Sequence, residues 1–245
     1  MSDCKIHHNG NKFVKIFSNY KDAELSYNSQ KFVYDAGLPV PAVLGLTKLS
    51  ETEIALEMEY IEGKTLTNEN TTSEQNLAAL QIMAKLQCQI NAVDASNMPP
   101  LTNSYTHEIT TTPYLSAEIK NALLRIMKQL NSGKTNLCHG DIHPHNIMFD
   151  GEKHWIIDWE DACYGDPAAD ACMTYFYTMR WDAKFNNHFA EYYLSAFCEE
   201  SEISHEDVLA WLPVIAGVQV NINDEDDRLF IENFISEWYT KNLSS

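Results

Sequence analysis

Between Cys138 and Asp161 the chain reads CHGDIHPHNIMFDGEKHWIIDWED, a stretch that leaves little freedom in how it folds. Gly140 and Pro144 rule out a regular helix, so Asp141 and Asn146, five positions apart, lie on an irregular loop. Ile147-Met148-Phe149 reads as a short strand, Asp150-Gly151 as a hairpin turn, and His154 to Trp159 as a returning strand. A two-stranded hairpin brings its ends together, so Asp158 is expected close to Asn146. Two carboxylates and one amide then converge without help from the rest of the chain.

The residue types suit phosphoryl transfer. Magnesium takes hard oxygen ligands, usually one or two carboxylates with water and substrate phosphates completing the shell. Asp158 would supply the carboxylate and Asn146 a neutral second ligand. Asp141 would orient an acceptor hydroxyl and take its proton as the phosphoryl group moves.

His139-Gly140-Asp141, then Asn146, then Ile157-Asp158-Trp159 resemble the catalytic and metal segments of the aminoglycoside phosphotransferase family. That family is a branch of the kinase-like fold that phosphorylates small molecules, and it includes choline and homoserine kinases. Protein kinases carry an H-R-D loop followed by D-F-G. Gly140 in place of the Arg and Trp159 in place of the Phe favour the small-molecule branch. The resemblance implies a two-lobed, protein-kinase-like α+β fold: a small antiparallel β N-lobe over residues 1–61 and a mostly helical C-lobe over residues 62–245. It also implies Mg2+, ATP or GTP as phosphoryl donor, and a hydroxyl-bearing small molecule as acceptor.

The N-terminal half carries the rest of the resemblance. Cys4 to His8, Asn9-Gly10 and Asn11 to Phe17 read as a β-hairpin, with Lys15 the single basic residue of the alternating run Phe13 to Phe17. In the family a strand lysine of this kind holds the α- and β-phosphates of the nucleotide. Tyr20 to Ala36 reads as a helix, and the resemblance makes Glu24 the ion-pair partner of Lys15. Gly37-Leu38-Pro39-Val40-Pro41 ends that helix and looks like the family's connection into the next strand. Met58 to Gly63 resembles the hinge between lobes, where backbone groups of Glu59 and Ile61 would hold the adenine. No G-x-G-x-x-G precedes Lys15, and only one hairpin fits there, so the N-lobe is abbreviated against the family pattern. Either His7 to Asn11, with Gly10, would then act as a shortened phosphate loop, or the first strand is absent and nucleotide affinity suffers.

Composition excludes some functions. The net charge of −18 argues against a polyanionic partner such as nucleic acid and favours a cationic acceptor, an aminoglycoside or amino alcohol. The six cysteines form no C-x-x-C pair, and they read as reduced thiols of a cytoplasmic protein. No signal peptide is expected, and no apolar run approaches a membrane span.

Between the hinge and the loop, Thr72 to Gln75 offers a capping box before a core helix. Ser96 to Pro113 reads as an irregular crossing, and Ser116 caps a second helix stopped at Gly133. Past Asp158, Asp166-Pro167 opens a helix on which Asp170 bonds back toward the catalytic loop, while Glu160 and Asp161 face the acceptor side. Asp182 to Cys198, Ser204 to Val220 and Asp226 to Tyr239 are helical by pattern. Two other readings fit parts of the chain. The short N-terminus fits a non-catalytic nucleotide-binding protein, and His139, His143 and His145 fit a metal-dependent hydrolase.

Overall fold

The structure is a computed structural model that describes residues 5–68, 70–185 and 188–243; Cys4, read above as part of the first strand, lies outside them. In chain order its elements begin with β1 (Lys5–Asn9), β2 (Lys12–Phe17), α1 (Tyr20–Asp35), β3 (Val43–Lys48), β4 (Ile54–Glu59) and β5 (Lys64–Thr65). The helices α2 (Ser73–Asn91), α3 (Leu101–Thr111) and α4 (Ala117–Leu130) follow. Then come β6 (Asn136–Cys138), a 3-10 turn (Pro144–Asn146), β7 (Ile147–Phe149), β8 (His154–Ile156) and β9 (Cys163–Gly165). The chain ends in α5 (Pro167–Phe185), α6 (Phe189–Ser201), α7 (His205–Ala210), α8 (Leu212–Gln219) and α9 (Glu225–Leu243).

These elements pack as two compact units that do not follow chain order. One comprises Met1–Ala79 with Asp141–Ala162, the other Leu80–Gly140 with Cys163–Ser245. The division differs from a single boundary after residue 61. Beyond residue 61 the chain stays with the first unit because β5 pairs with β7, giving a three-stranded sheet β5-β7-β8. Gly63, just before β5, makes that pairing possible: a Cβ there would sit 2.7 Å from the carbonyl oxygen of Phe149.

The first unit also holds a four-stranded antiparallel sheet, order β1-β2-β4-β3. Its opening hairpin turns at Gly10-Asn11, one residue later than the sequence reading, because Asn9 pairs with Lys12. Against one face lies α1, capped by the side chain of Asn19 on the N–H of Asp22 (2.9 Å). Phe17, Ala23, Ile54 and Leu56 form the core between them, with Tyr27, Val43, Leu46 and Met58 packed around it. Burying Phe17, Ile54 and Leu56 contributes about 1.5–3 kcal/mol each.

The expected capping box, within the first unit, opens α2: Thr72 N–H donates to Gln75 Oε1 (2.9 Å) and Gln75 N–H to Thr72 Oγ1 (3.3 Å). The segment Ser96 to Pro113 does not remain irregular. Its Thr- and Asn-rich sequence has weak helix propensity, but Leu101, Tyr105 and Ile109 recur every four residues and are all buried, so packing folds α3. The expected helix from Asp182 is divided, with Asp182 instead capping α6 by accepting from the N–H groups of Phe189 (3.0 Å) and Ala190 (2.7 Å). Apolar on every side, α8 is buried at six consecutive positions from Pro213 to Val218. Among the described residues no helix is long and apolar enough to cross a membrane, and the five described cysteines are free thiols.

Candidate active site

The loop before β7 is built as its sequence requires. Pro144 opens a 3-10 turn, and the N–H of Asn146 donates to the carbonyl of His143 (2.9 Å). The Asn146 amide donates through Nδ2 to the backbone carbonyl of Asp141 (2.9 Å), which leaves its oxygen for another partner. The hairpin register then brings the backbone of Asn146 beside the residue that precedes Asp158. Ile147 faces Ile156, and one residue further on the N–H of Ile157 donates to the carbonyl of Asn146 (3.0 Å). The turn joining these strands is held by Asp150, whose carboxylate accepts from the N–H groups of Glu152 (2.8 Å) and Lys153 (2.9 Å) and from Trp155 Nε1 (2.6 Å). Those donors hold its pKa down at about 2.

The returning strand is shorter than expected and stops at Ile156. The cause is Asp158, which adopts a left-handed backbone with φ +65°. An L-residue other than glycine seldom occupies that region, and such strain gathers at functional positions. Trp159 anchors the bend: it is 2% exposed, and its Nε1 donates to the carbonyl of Ile156 (3.2 Å).

The bend delivers Asp158 to Lys15. From the sheet interior, Lys15 Nζ reaches Asp158 Oδ1 at 3.0 Å and Glu160 Oε1 at 2.5 Å. Partial burial pushes the Lys15 ammonium toward neutrality, but Glu160 and Asp158 outweigh it and hold its pKa above the ordinary lysine value. The expected pair with Glu24 does not form. The α1 face turned inward is Ala23, Ser26, Gln30 and Val33, and Glu24 lies one position round the helix, exposed. Glu160, read from the sequence as facing the acceptor side, is thus the partner that reading missed. Burial phase along α1 is the signal that could have excluded Glu24.

Beside Lys15 opens a pocket of about 230 Å3. Phe13, Met58, Met148 and Ile157 make its walls largely apolar, and Lys15, Asp158, Glu59, Tyr60 and Ile61 also line it. Glu59 is fixed there by two bonds with Ala42, its N–H donating (2.8 Å) and its carboxylate accepting (3.2 Å). Ile61 lines the pocket, and its N–H finds no acceptor among the described residues.

Asp141 lies in the same compact unit, 3.6 Å from His143 Nε2. Asp161 faces the carboxylates of Asp141, Asp158 and Glu160. Desolvation first, and that repulsion second, push its pKa up to about 6. The donor set fits magnesium, since Asp158 offers a carboxylate and Asn146 an uncommitted amide oxygen. Among the described residues no group of three or more His, Cys, Asp or Glu is placed to hold a metal. In the second unit Asp170 acts structurally, as expected. It accepts from the N–H of Gly140 (2.9 Å), Gln87 (3.0 Å) and Asn91 (3.1 Å), and so fixes the residue before Asp141. Gly140 has φ +84°, which glycine adopts without strain.

Comparison with known proteins gives this geometry a context. No curated protein sequence matches the chain. Among solved structures it is similar to a thermostable mutant of aminoglycoside phosphotransferase APH(4)-Ia in ternary complex with AMP-PNP and hygromycin B. The TM-score is 0.69 at 18% identity, over 100% of this chain and 95% of that one. Choline kinase LicA from Streptococcus pneumoniae gives 0.65 at 17% identity, covering 97% and 90%. Aminoglycoside phosphotransferase APH(3'')-Id from Streptomyces rimosus gives 0.62 at 15%, covering 89% and 93%. Likeness at such low identity establishes the kinase-like fold. Membership rests on the sequence itself, whose residues 8–212 match a family description that takes in the Lys15 strand and the whole Asp141–Asp158 loop, and the chain therefore belongs to the phosphotransferase enzyme family.

Proposed function

We propose that the protein transfers the γ-phosphoryl group of ATP to a hydroxyl of a small molecule. The observation that carries this reading is the meeting of Lys15 and Asp158 on the lining of a largely apolar pocket, with Asn146 and Asp141 on the loop before β7. The base of the nucleotide would lie between Phe13, Met58, Met148 and Ile157, with the N–H of Ile61 and a backbone group of Glu59 at its edge. Lys15 would hold the α- and β-phosphates. Asp158 and Asn146 would hold Mg2+, which neutralises charge on the phosphates during transfer. Asp141 would orient the acceptor hydroxyl and take its proton. The new bond joins acceptor oxygen to γ-phosphorus, the bond to the bridging oxygen breaks, and ADP leaves.

The acceptor is proposed to be a cation. The net charge of −18 and the carboxylates of Asp141 and Asp161 attract one electrostatically. Two fold neighbours add support, one solved with hygromycin B and AMP-PNP, the other a choline kinase. The test is 31P NMR of ATP or GTP with Mg2+ over a panel of aminoglycosides, amino alcohols and neutral sugars. A new phosphomonoester signal from a cationic acceptor is the expected result. Nucleotide binding with no transfer to any acceptor would favour the non-catalytic reading instead.

A further inference from the structure

A lysine that grips phosphates needs a fixed counter-ion, because an ammonium on a four-carbon stem is otherwise free to swing. The helix beside Lys15 does not supply one. The face that α1 turns to the pocket carries Ser26 and Gln30, four residues apart, 8% and 3% exposed, and both neutral. Gln30 spends its Nε2 on the carbonyl of Pro41 (2.7 Å), while Ser26 Oγ and Gln30 Oε1 find no partner among the described residues. The acids of α1 are engaged or directed elsewhere: Asp22 is bound by Asn19 (2.7 Å), Asp35 by Lys31 (2.6 Å), and Glu24 is exposed.

We infer that Glu160 is the positioning carboxylate for Lys15, supplied from the bend that carries Asp158 and not from the helix. The inference rests on the phosphotransferase reading of the site. Of the two contacts to Lys15 Nζ, Glu160 is the closer, 2.5 Å against 3.0 Å for Asp158. Asp158 has a second duty, since it is also the carboxylate proposed for Mg2+. With Asp158 committed to the metal, Glu160 would be the partner that still holds the lysine. Buried Trp159 separates the two acids and pins the bend between them. Phosphate anchor and metal ligand are therefore set by one short loop, and their spacing does not depend on where α1 sits.

The test uses the full chain with Mg2+ and ATP, water serving as acceptor, so that the unknown physiological acceptor does not enter. Glu160→Gln is expected to lower kcat by about tenfold or more, the scale that misplacing a catalytic group by about 1 Å produces. The dissociation constant of Mg·ATP, read by calorimetry, should hold or tighten, because the substitution removes a negative charge near the phosphates. Adding Ser26→Glu to Glu160→Gln returns a carboxylate to the pocket face of α1 and should recover part of the lost kcat. Glu160→Gln with wild-type kcat and tighter nucleotide would show a bystander carboxylate and overturn the inference alone. A wild-type chain that neither hydrolyses Mg·ATP nor phosphorylates any acceptor would remove the phosphotransferase reading and this inference with it.

Discussion

Asp158 stands in the left-handed region of backbone space, and that strain can be separated from its chemistry by comparing two substitutions, Asp158→Gly and Asp158→Ala. Both remove the carboxylate, so loss of the Lys15 contact and relief of repulsion with Asp161 are common to them and cancel. What differs is backbone cost. Alanine at φ +65° carries the left-handed penalty of about 1–2 kcal/mol, which glycine escapes. Glycine in turn loses about 0.5–1 kcal/mol more conformational entropy on folding. The difference favours glycine by roughly 0.5–1 kcal/mol. At about 2–4 °C per kcal/mol for a chain of this length, the glycine variant should melt roughly 1–4 °C above the alanine variant. Calorimetric melts in metal-free buffer measure the order, and a phosphoryl-transfer assay should find both variants inactive. An alanine variant melting at or above the glycine variant would refute the claim of strain. Turnover in either would refute the metal role.

Asp141→Ala should lower turnover by about 10²–10⁴-fold while calorimetry finds Mg·ATP binding near wild type; retained turnover would dismiss Asp141 as the base. Asp161 gives a pH dependence. Its folded pKa, near 6 against an ordinary 3.8, is raised, so its stabilising contribution is complete below the unfolded value and is lost as pH rises through about 6. In metal-free buffer Asp161→Asn should therefore raise the melting temperature at about pH 7.5 and leave it near wild type at about pH 4; an equal shift at both would contradict the carboxylate crowding. Asp170→Ala strands the part-buried N–H of Gly140 and removes an acceptor of the buried Gln87 and Asn91 amides, which should cost roughly 3 kcal/mol in urea unfolding. A loss below about 1 kcal/mol would mean that water replaces the carboxylate there.

What the sequence revealed tracks how local each interaction is. Asn146 and Asp158 were legible because a single hairpin joins them, and hairpin register follows from turn and strand lengths. The Asp170 bond to Gly140 was legible for a similar reason, helix start and loop being fixed by Asp166-Pro167 and Gly140. Glu24 was misjudged because helical phase decides which side chain faces the sheet. Shifting one position, about 100°, exchanges a buried residue for an exposed one. The α3 helix stayed hidden because its stability comes from burying Leu101, Tyr105 and Ile109 and not from its polar residues. The extent of the first unit was not legible either, since the two-residue pairing of β5 with β7 leaves almost no periodic trace.

That discontinuous unit has a consequence for biosynthesis. Its four-stranded sheet is complete once Glu59 has been made, but the segment carrying Asp141, Asn146 and Asp158 is translated about a hundred residues later. At about 5–20 residues per second that interval is on the order of 5–20 s. During it, the wall later closed by Met148, Ile157 and Trp159 is absent, and the apolar side chains of Phe13 and Met58 have no partner there. The nascent chain passes through a stage in which the pocket beside Lys15 is an open apolar surface, the kind of surface that holdase chaperones bind.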